Sequence, residues 1–204
     1  MTLYLVENLG IAVFAITGVL AVRQQGVDVF GAVVLGVVTA IGGGTIRDTL
    51  LGIPIYWVRD FTYAWSAIGA ALLAFFLVKR LQHTYQWLLY LDGLGAALFG
   101  ITAAEKLLSL HFSEPVAVLM GLLTSIGGGI MRDTLAGRPS LLMSRELYAT
   151  PILLGCTVYV VTGHFMNNFL SGLLAMTCAF GLRATAIYRH LEMPVWLSTQ
   201  AESE

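Results

Sequence analysis

Apolar stretches of about 20 residues recur along the whole chain, parted by short polar breaks. As a helix, each would cross a hydrocarbon core of roughly 30 Å with every backbone hydrogen bond made internally. The pattern therefore predicts an all-α integral membrane fold with seven transmembrane spans, over residues 3–22, 29–52, 61–79, 86–108, 115–136, 147–164 and 169–189. The breaks hold the polar, Gly and Pro residues of short loops: Arg23 to Asp28, Pro54 to Asp60, Lys79 to Thr84, His111 to Pro115, Arg138 to Glu146 and Gly163 to Asn168. None has room for a soluble catalytic domain. A single membrane domain over residues 1–204 is expected, with a short polar tail after His190.

Composition agrees with this reading. The chain is 57% hydrophobic and 11% charged, with a mean hydropathy of +0.81, whereas soluble domains carry about 25% charged residues. Eleven Lys and Arg against twelve Asp and Glu give a net charge of -1, so there is no basic field to gather nucleic acid. No Lys or Arg precedes Arg23, so a cleaved leader with a basic start is not expected and span 1 should be retained. Cys156 and Cys178 fall inside apolar stretches and read as small buried hydrophobes. His83, His111, His164 and His190 are scattered, which gives no reason to expect a metal site. Trp57, Trp65, Trp87 and Trp196 lie near span ends or in the tail, as interfacial anchors do.

The basic residues also set an orientation. When loops are assigned alternately to two sides, one side collects Arg23, Lys79, Arg80, Arg138, Arg145 and Arg189, and the other only Arg59. The positive-inside rule then puts the N-terminus outside and the C-terminus in the cytoplasm, as an odd number of spans requires.

The chain repeats itself. Residues 41–52, Ile-Gly-Gly-Gly-Thr-Ile-Arg-Asp-Thr-Leu-Leu-Gly, match residues 126–137 at nine of twelve positions, an offset of 85. The same offset pairs Glu7 with Asp92, Phe14 with Phe99, Thr17 with Thr102, Gly36 with Gly121, Thr39 with Thr124, Pro54 with Pro139 and Tyr63-Ala64 with Tyr148-Ala149. Repeat 1 (about 3–79) thus returns as repeat 2 (about 86–164), leaving the seventh span, 169–189, unpaired. Three spans per copy is an odd number, so the second copy starts on the opposite face. The expectation is two inverted three-helix repeats plus a seventh helix, an architecture common among transport proteins.

Three consecutive glycines inside a span cost roughly 0.8 to 1 kcal/mol each relative to Ala. Gly42, Gly43, Gly44 and Gly127, Gly128, Gly129 are therefore expected to bend or unwind spans 2 and 5, freeing carbonyls for a polar path, or to admit a neighbouring helix closely. Tight packing alone is the plainer alternative. Beyond each run comes an Arg-Asp-Thr triplet, Arg47-Asp48-Thr49 and Arg132-Asp133-Thr134. A charge at a span centre costs about 2.5 to 3.5 kcal/mol on insertion scales, so none of these should face lipid.

Neighbours in sequence point about 100° apart on a helix, so each Arg is expected to seek a carboxylate on another span. Depth and repeat suggest Arg47 with Glu7 and Arg132 with Asp92. Asp48, Asp133 and the hydroxyls of Thr17, Thr39, Thr49, Thr102, Thr124, Ser125 and Thr134 would then line a hydrophilic path; knitting the bundle together is the alternative role. Glu105 and Lys106, near the outer end of span 4, would gate or tune the path or simply snorkel to the interface, and Arg183 on span 7 reads as a snorkelling residue too.

An enzyme is not expected. Asp92-Gly-Leu-Gly-Ala-Ala superficially resembles the start of an alcohol phosphatidyltransferase motif, but the further metal-binding carboxylates are absent, and no nucleophile pair lies within the spans.

Paired G-G-G-x-x-R-D motifs at 42–48 and 127–133, on spans 2 and 5 of a seven-span inverted repeat, resemble the trimeric intracellular cation (TRIC) channels and their prokaryotic homologues. The resemblance covers about residues 3–190. It implies a homotrimer with a pore in each protomer, shaped by kinked glycine segments on spans 2 and 5. Monovalent cations would pass, chiefly potassium with sodium also permeant, with membrane lipid the other partner and no cofactor. By similarity the functional residues are Gly42 to Gly44, Arg47, Asp48, Gly127 to Gly129, Arg132 and Asp133. The chain lacks the long basic tail of animal members, so it is similar to the shorter prokaryotic type, placed in a cell inner membrane. The same family includes bacterial inner-membrane proteins described as glycine transporters, so a secondary transporter of a small solute such as glycine is the alternative.

Overall fold

The computed structural model describes residues 2–78 and 84–193. Among them run α1 (Thr2–Val22), α2 (Val29–Leu50), the single turn α3 (Tyr56–Arg59), α4 (Thr62–Val78), α5 (Thr84–Ser109), α6 (Glu114–Leu135), a 3-10 turn (Leu141–Met143), α7 (Ala149–Gly163) and α8 (Asn168–Arg189). Spans 1 to 7 thus correspond to α1, α2, α4, α5, α6, α7 and α8. Lys79, Arg80, His83 and Trp196 lie outside the described residues.

Local chemistry places the helix ends. The Asp28 carboxylate accepts from Gly31 N–H at 2.8 Å to start α2, and Asn167 accepts from Leu170 N–H at 2.9 Å to start α8. Gly52 and Gly137, equivalent under the 85-residue shift, follow α2 and α6 with φ of +64° and +60°. Only glycine adopts that left-handed geometry without strain, so both helices stop there.

Among the described residues, five helices are long and apolar enough to cross a membrane: those over Tyr4–Val22, Val29–Leu50, Tyr85–Ser109, Glu114–Leu135 and Asn168–Arg189. The third helix of each repeat is shorter, 17 residues in α4 and 15 in α7. At 1.5 Å per residue, α7 spans only about 22 Å. Residues after α2 and α6 fold back into the protein through α3 and the 3-10 turn before each of these helices begins.

The contacts between the repeats run in opposite order. Gly10 sits against Phe99, while Gly95 sits against Phe14, and the two phenyl rings stack at 5.3 Å. A Cβ on Gly43 would strike the carbonyl of Thr124, and one on Gly128 that of Thr39. As residue number rises along one helix it falls along its partner, so α1 and α5 cross antiparallel, as do α2 and α6. Outward faces are apolar, with Leu73, Phe76, Leu77, Phe169 and Leu173 exposed. That suits a bundle in lipid, where apolar residues cover the whole circumference.

Neither glycine run unwinds its helix. α2 and α6 continue unbroken through residues 42–44 and 127–129. What the missing side chains permit instead is backbone contact between the two helices at Gly43 and Gly128.

Candidate functional site

Two clusters of charge lie inside the bundle, on either side of the glycine crossing. In the first, Asp48 is fully buried. Its Oδ1 accepts from Arg47 Nε at 2.8 Å, with Arg47 Nη2 2.7 Å away, and its Oδ2 accepts from the backbone N–H of Tyr56 at 3.0 Å. Lys106 Nζ on α5 donates to the same carboxylate at 3.3 and 3.4 Å. The guanidinium of Arg47 and the ammonium of Lys106 both lie over the Tyr56 ring, 5.8 and 5.7 Å from its centre.

The second cluster repeats this design with deeper burial. Arg132 Nε donates to Asp133 Oδ1 at 2.8 Å, and Asp133 Oδ2 accepts from Leu141 N–H at 3.1 Å. Leu141 stands 85 residues after Tyr56, so each motif Asp holds the N–H eight residues onward and pins the fold-back segment. Arg132 Nη1 also donates to Asp92 Oδ1 at 2.6 Å and to the Thr17 hydroxyl at 3.1 Å. Arg132 and Asp92 are both 0% exposed. Ion pairs this deep are retained only with full hydrogen bonding, since stranding one partner leaves a desolvated charge.

Three expectations change here. Each motif Arg does pair with its adjacent Asp, because the long guanidinium turns along the helix end to reach it. Arg132 adds the expected cross-helix bond to Asp92, whereas no ion pair joins Arg47 to Glu7 among the described residues. Glu7 instead accepts from the Tyr63 hydroxyl at 2.7 Å. Nor do Lys106 and Arg183 snorkel. Lys106 turns inward to Asp48, and Arg183 is 1% exposed, donating to the Leu147 carbonyl at 3.0 Å and pairing with Glu146 at 3.2 Å. For both, a buried acceptor outweighs the reach to solvent.

The hydroxyls of Thr17, Thr39, Thr102, Thr124 and Ser125 are buried and bond back to carbonyls of their own helices. Thr49 and Thr134 are exposed at the ends of α2 and α6. Glu105 lines two adjoining clefts beside α8, of ≈ 340 and ≈ 250 Å³. Trp57 is half-buried, its indole N–H donating to Thr45 at 2.9 Å, while Trp65 and Trp87 are exposed. Cys156 is buried and Cys178 partly so, both as free thiols.

An open cleft of ≈ 410 Å³ leads to the first cluster, lined by Tyr56, Arg59, Asp60, Tyr63 and Lys106 among others. Hydrogen bonds from Thr62 hold the Asp60 carboxyl below its usual range, so it stays ionised to lower pH than a free carboxylate, on a cleft that Arg59 and Lys106 also line. Tyr56 and Tyr63 with its repeat partner Tyr148 were not singled out by sequence as site residues. The Tyr63 and Tyr148 match at the 85-residue offset was the available signal.

The chain is similar to known proteins over nearly its whole length. A family model described as Glycine transporter matches it twice, over residues 4–79 and 89–164. A UPF0126 membrane protein of Vibrio cholerae is 38% identical, covering 97% of this chain and 84% of that one. The UPF0126 inner membrane protein YadS of Escherichia coli is 36% identical, covering 96% and 97%. Among solved structures, the TRIC trimeric intracellular cation channel orthologue from Rhodobacter sphaeroides superposes with a TM-score of 0.90. It is 36% identical, covering 93% of this chain and 99% of that one.

Proposed function

Since the chain belongs to the family that holds the prokaryotic TRIC channels and the UPF0126 membrane proteins, we propose that it is a monovalent cation channel. Potassium is the chief ion and sodium permeates too. Three copies assemble, each with its own pathway, in an inner membrane with the N-terminus outside. We read seven crossings arranged as two inverted three-helix repeats plus α8. The antiparallel crossings of α1 with α5 and α2 with α6 support that reading, as does the twofold match of one family model at the 85-residue offset.

The observation that carries the proposal is the pair of charged clusters buried in apolar helices on both sides of the glycine crossing. Intramembrane ionisable residues are expensive and mark ion pathways. Cations enter at the Asp60 cleft and follow the seam of α2 and α6, past Arg47 and Asp48 on one side and Arg132 and Asp133 on the other. Arginine in a cation path is unfavourable unless neutralised; Asp92 and Asp133 both face Arg132, while Asp48 is shared between Arg47 and Lys106. Gly42 to Gly44 and Gly127 to Gly129 let the two helices meet, and bending at these runs separates them when the path opens.

Purified protein in a planar bilayer provides the test. Single-channel currents that reverse at the potassium equilibrium potential are expected, from a particle of three copies. Glycine flux without unitary current would overturn the channel in favour of a carrier, the reading that the family model's description favours.

A further inference from the structure

Beside the start of α8 two clefts of ≈ 340 and ≈ 250 Å³ adjoin, both lined by Glu105 and Asn168. Their walls change character with depth. At the helix ends lie Ser109, Glu114, His164 and Asn168, whereas Gly172, Leu173 and Met176 carry the larger cleft onward along α8. At 1.5 Å per residue, Asn168 to Met176 is about 12 Å. Phe169 and Leu173 in this wall also belong to the exposed apolar face, so the larger cleft borders the surface that meets lipid.

Charge in the clefts is unbalanced. Neither lining contains Lys or Arg, and His164 Nε2 lies 3.0 Å from Glu114. Glu105 is partly buried, and among the described residues no ion pair reaches it. The opposite sign comes from α8. The first N–H groups of a helix have no partner within it and carry positive partial charge, and Asn168 and Phe169, which open α8, stand in the same wall. A carboxylate and a helix N-terminus thus share one cleft, with an apolar slot running deeper.

We propose that this cleft holds a phospholipid with a primary ammonium head. The ammonium donates to the Glu105 carboxylate, the phosphate sits at the start of α8, and an acyl chain lies along Gly172, Leu173 and Met176. A trimethylammonium head has no N–H to give Glu105, and an anionic head meets it with like charge. Free glycine carries the same two charges but leaves the apolar slot unfilled. Gly172 makes that slot: it is buried, yet a Cβ there would meet only a Tyr159 ring carbon, at 3.9 Å. The site does not depend on which solute crosses the membrane.

Native mass spectrometry of the delipidated full chain in detergent tests it, by titration with dioleoyl phosphatidylethanolamine, phosphatidylcholine and phosphatidylglycerol. The ethanolamine lipid should bind about tenfold more tightly than the other two, the difference one charge-assisted hydrogen bond makes. Glu105→Gln should erase that preference. Gly172→Leu should weaken binding of the ethanolamine lipid by about tenfold or more, while melting at or above the wild-type temperature, since leucine favours a helix over glycine and its Cβ has room. Excess glycine should not displace the lipid. Equal affinity for the three heads, a preference that survives Glu105→Gln, unaltered binding or a lower melting temperature in Gly172→Leu, or displacement by glycine would each overturn the assignment. So would a crystal structure with a neighbouring copy seated in the cleft.

Discussion

Arg132 shows how much one side chain holds in this bundle. It ties α6 to Asp92 on α5 and Thr17 on α1, all without solvent. Removing one partner of a buried ion pair costs about 3–5 kcal/mol, so Arg132→Met or Asp92→Asn should lower stability by about that much. Replacing both together should cost less than the sum, as a thermal-unfolding cycle in detergent would show. Glu7→Gln should couple with Tyr63→Phe and add independently to Arg47→Gln, because Glu7 bonds to the phenol; coupling of Glu7 with Arg47 instead would contradict the geometry. On the proposed pathway Asp60 would act through its field. Asp60→Asn should reduce potassium conductance roughly twofold at 0.01 M salt and hardly at 1 M, where the Debye length falls from about 30 Å to about 3 Å. Sequence revealed these charges as costly and purposeful. It misassigned the partners of Arg47 because angular position on a helix ignores how far a guanidinium can turn.

At the scale of elements, the glycine runs separate propensity from packing. Helix propensity alone predicts that any interior Gly→Ala stabilises, by roughly 0.8 to 1 kcal/mol. Gly69 on α4 has open space around its Cβ position, so Gly69→Ala should raise the melting temperature. Gly43→Ala and Gly128→Ala should lower it, since the added methyl strikes a carbonyl of the facing helix, and overpacking typically costs about 1–3 kcal/mol. A rise in both sets would remove the close crossing. The seven helical stretches were legible because a 20-residue apolar run has few other uses. The short third helices were legible too, as spans 61–79 and 147–164; the fold-back before each was not, because the bonds from Asp48 to Tyr56 and from Asp133 to Leu141 decide it.

For the whole molecule, orientation can be read by labelling. In a background where Cys156 and Cys178 are replaced by Ala, Gln24→Cys should react with a membrane-impermeant maleimide only from the cytoplasm, and His111→Cys only from outside. The reverse pattern would invert the protein in the membrane. Inverted repeats predict this opposition, since the breaks containing these two residues follow the first helix of each copy, α1 and α5.

The sequence by itself determined the membrane class, the approximate helices, the 85-residue duplication and the family, because hydrophobic length and repeated motifs are properties of the linear chain. Tertiary structure alone decided that the glycine runs pack without unwinding, that Lys106 and Arg183 turn inward, and that Asp48 and Asp133 pin folded-back segments. Each depends on which acceptor stands nearby once helices distant in sequence have met, and a desolvated charge goes to the nearest one that satisfies it.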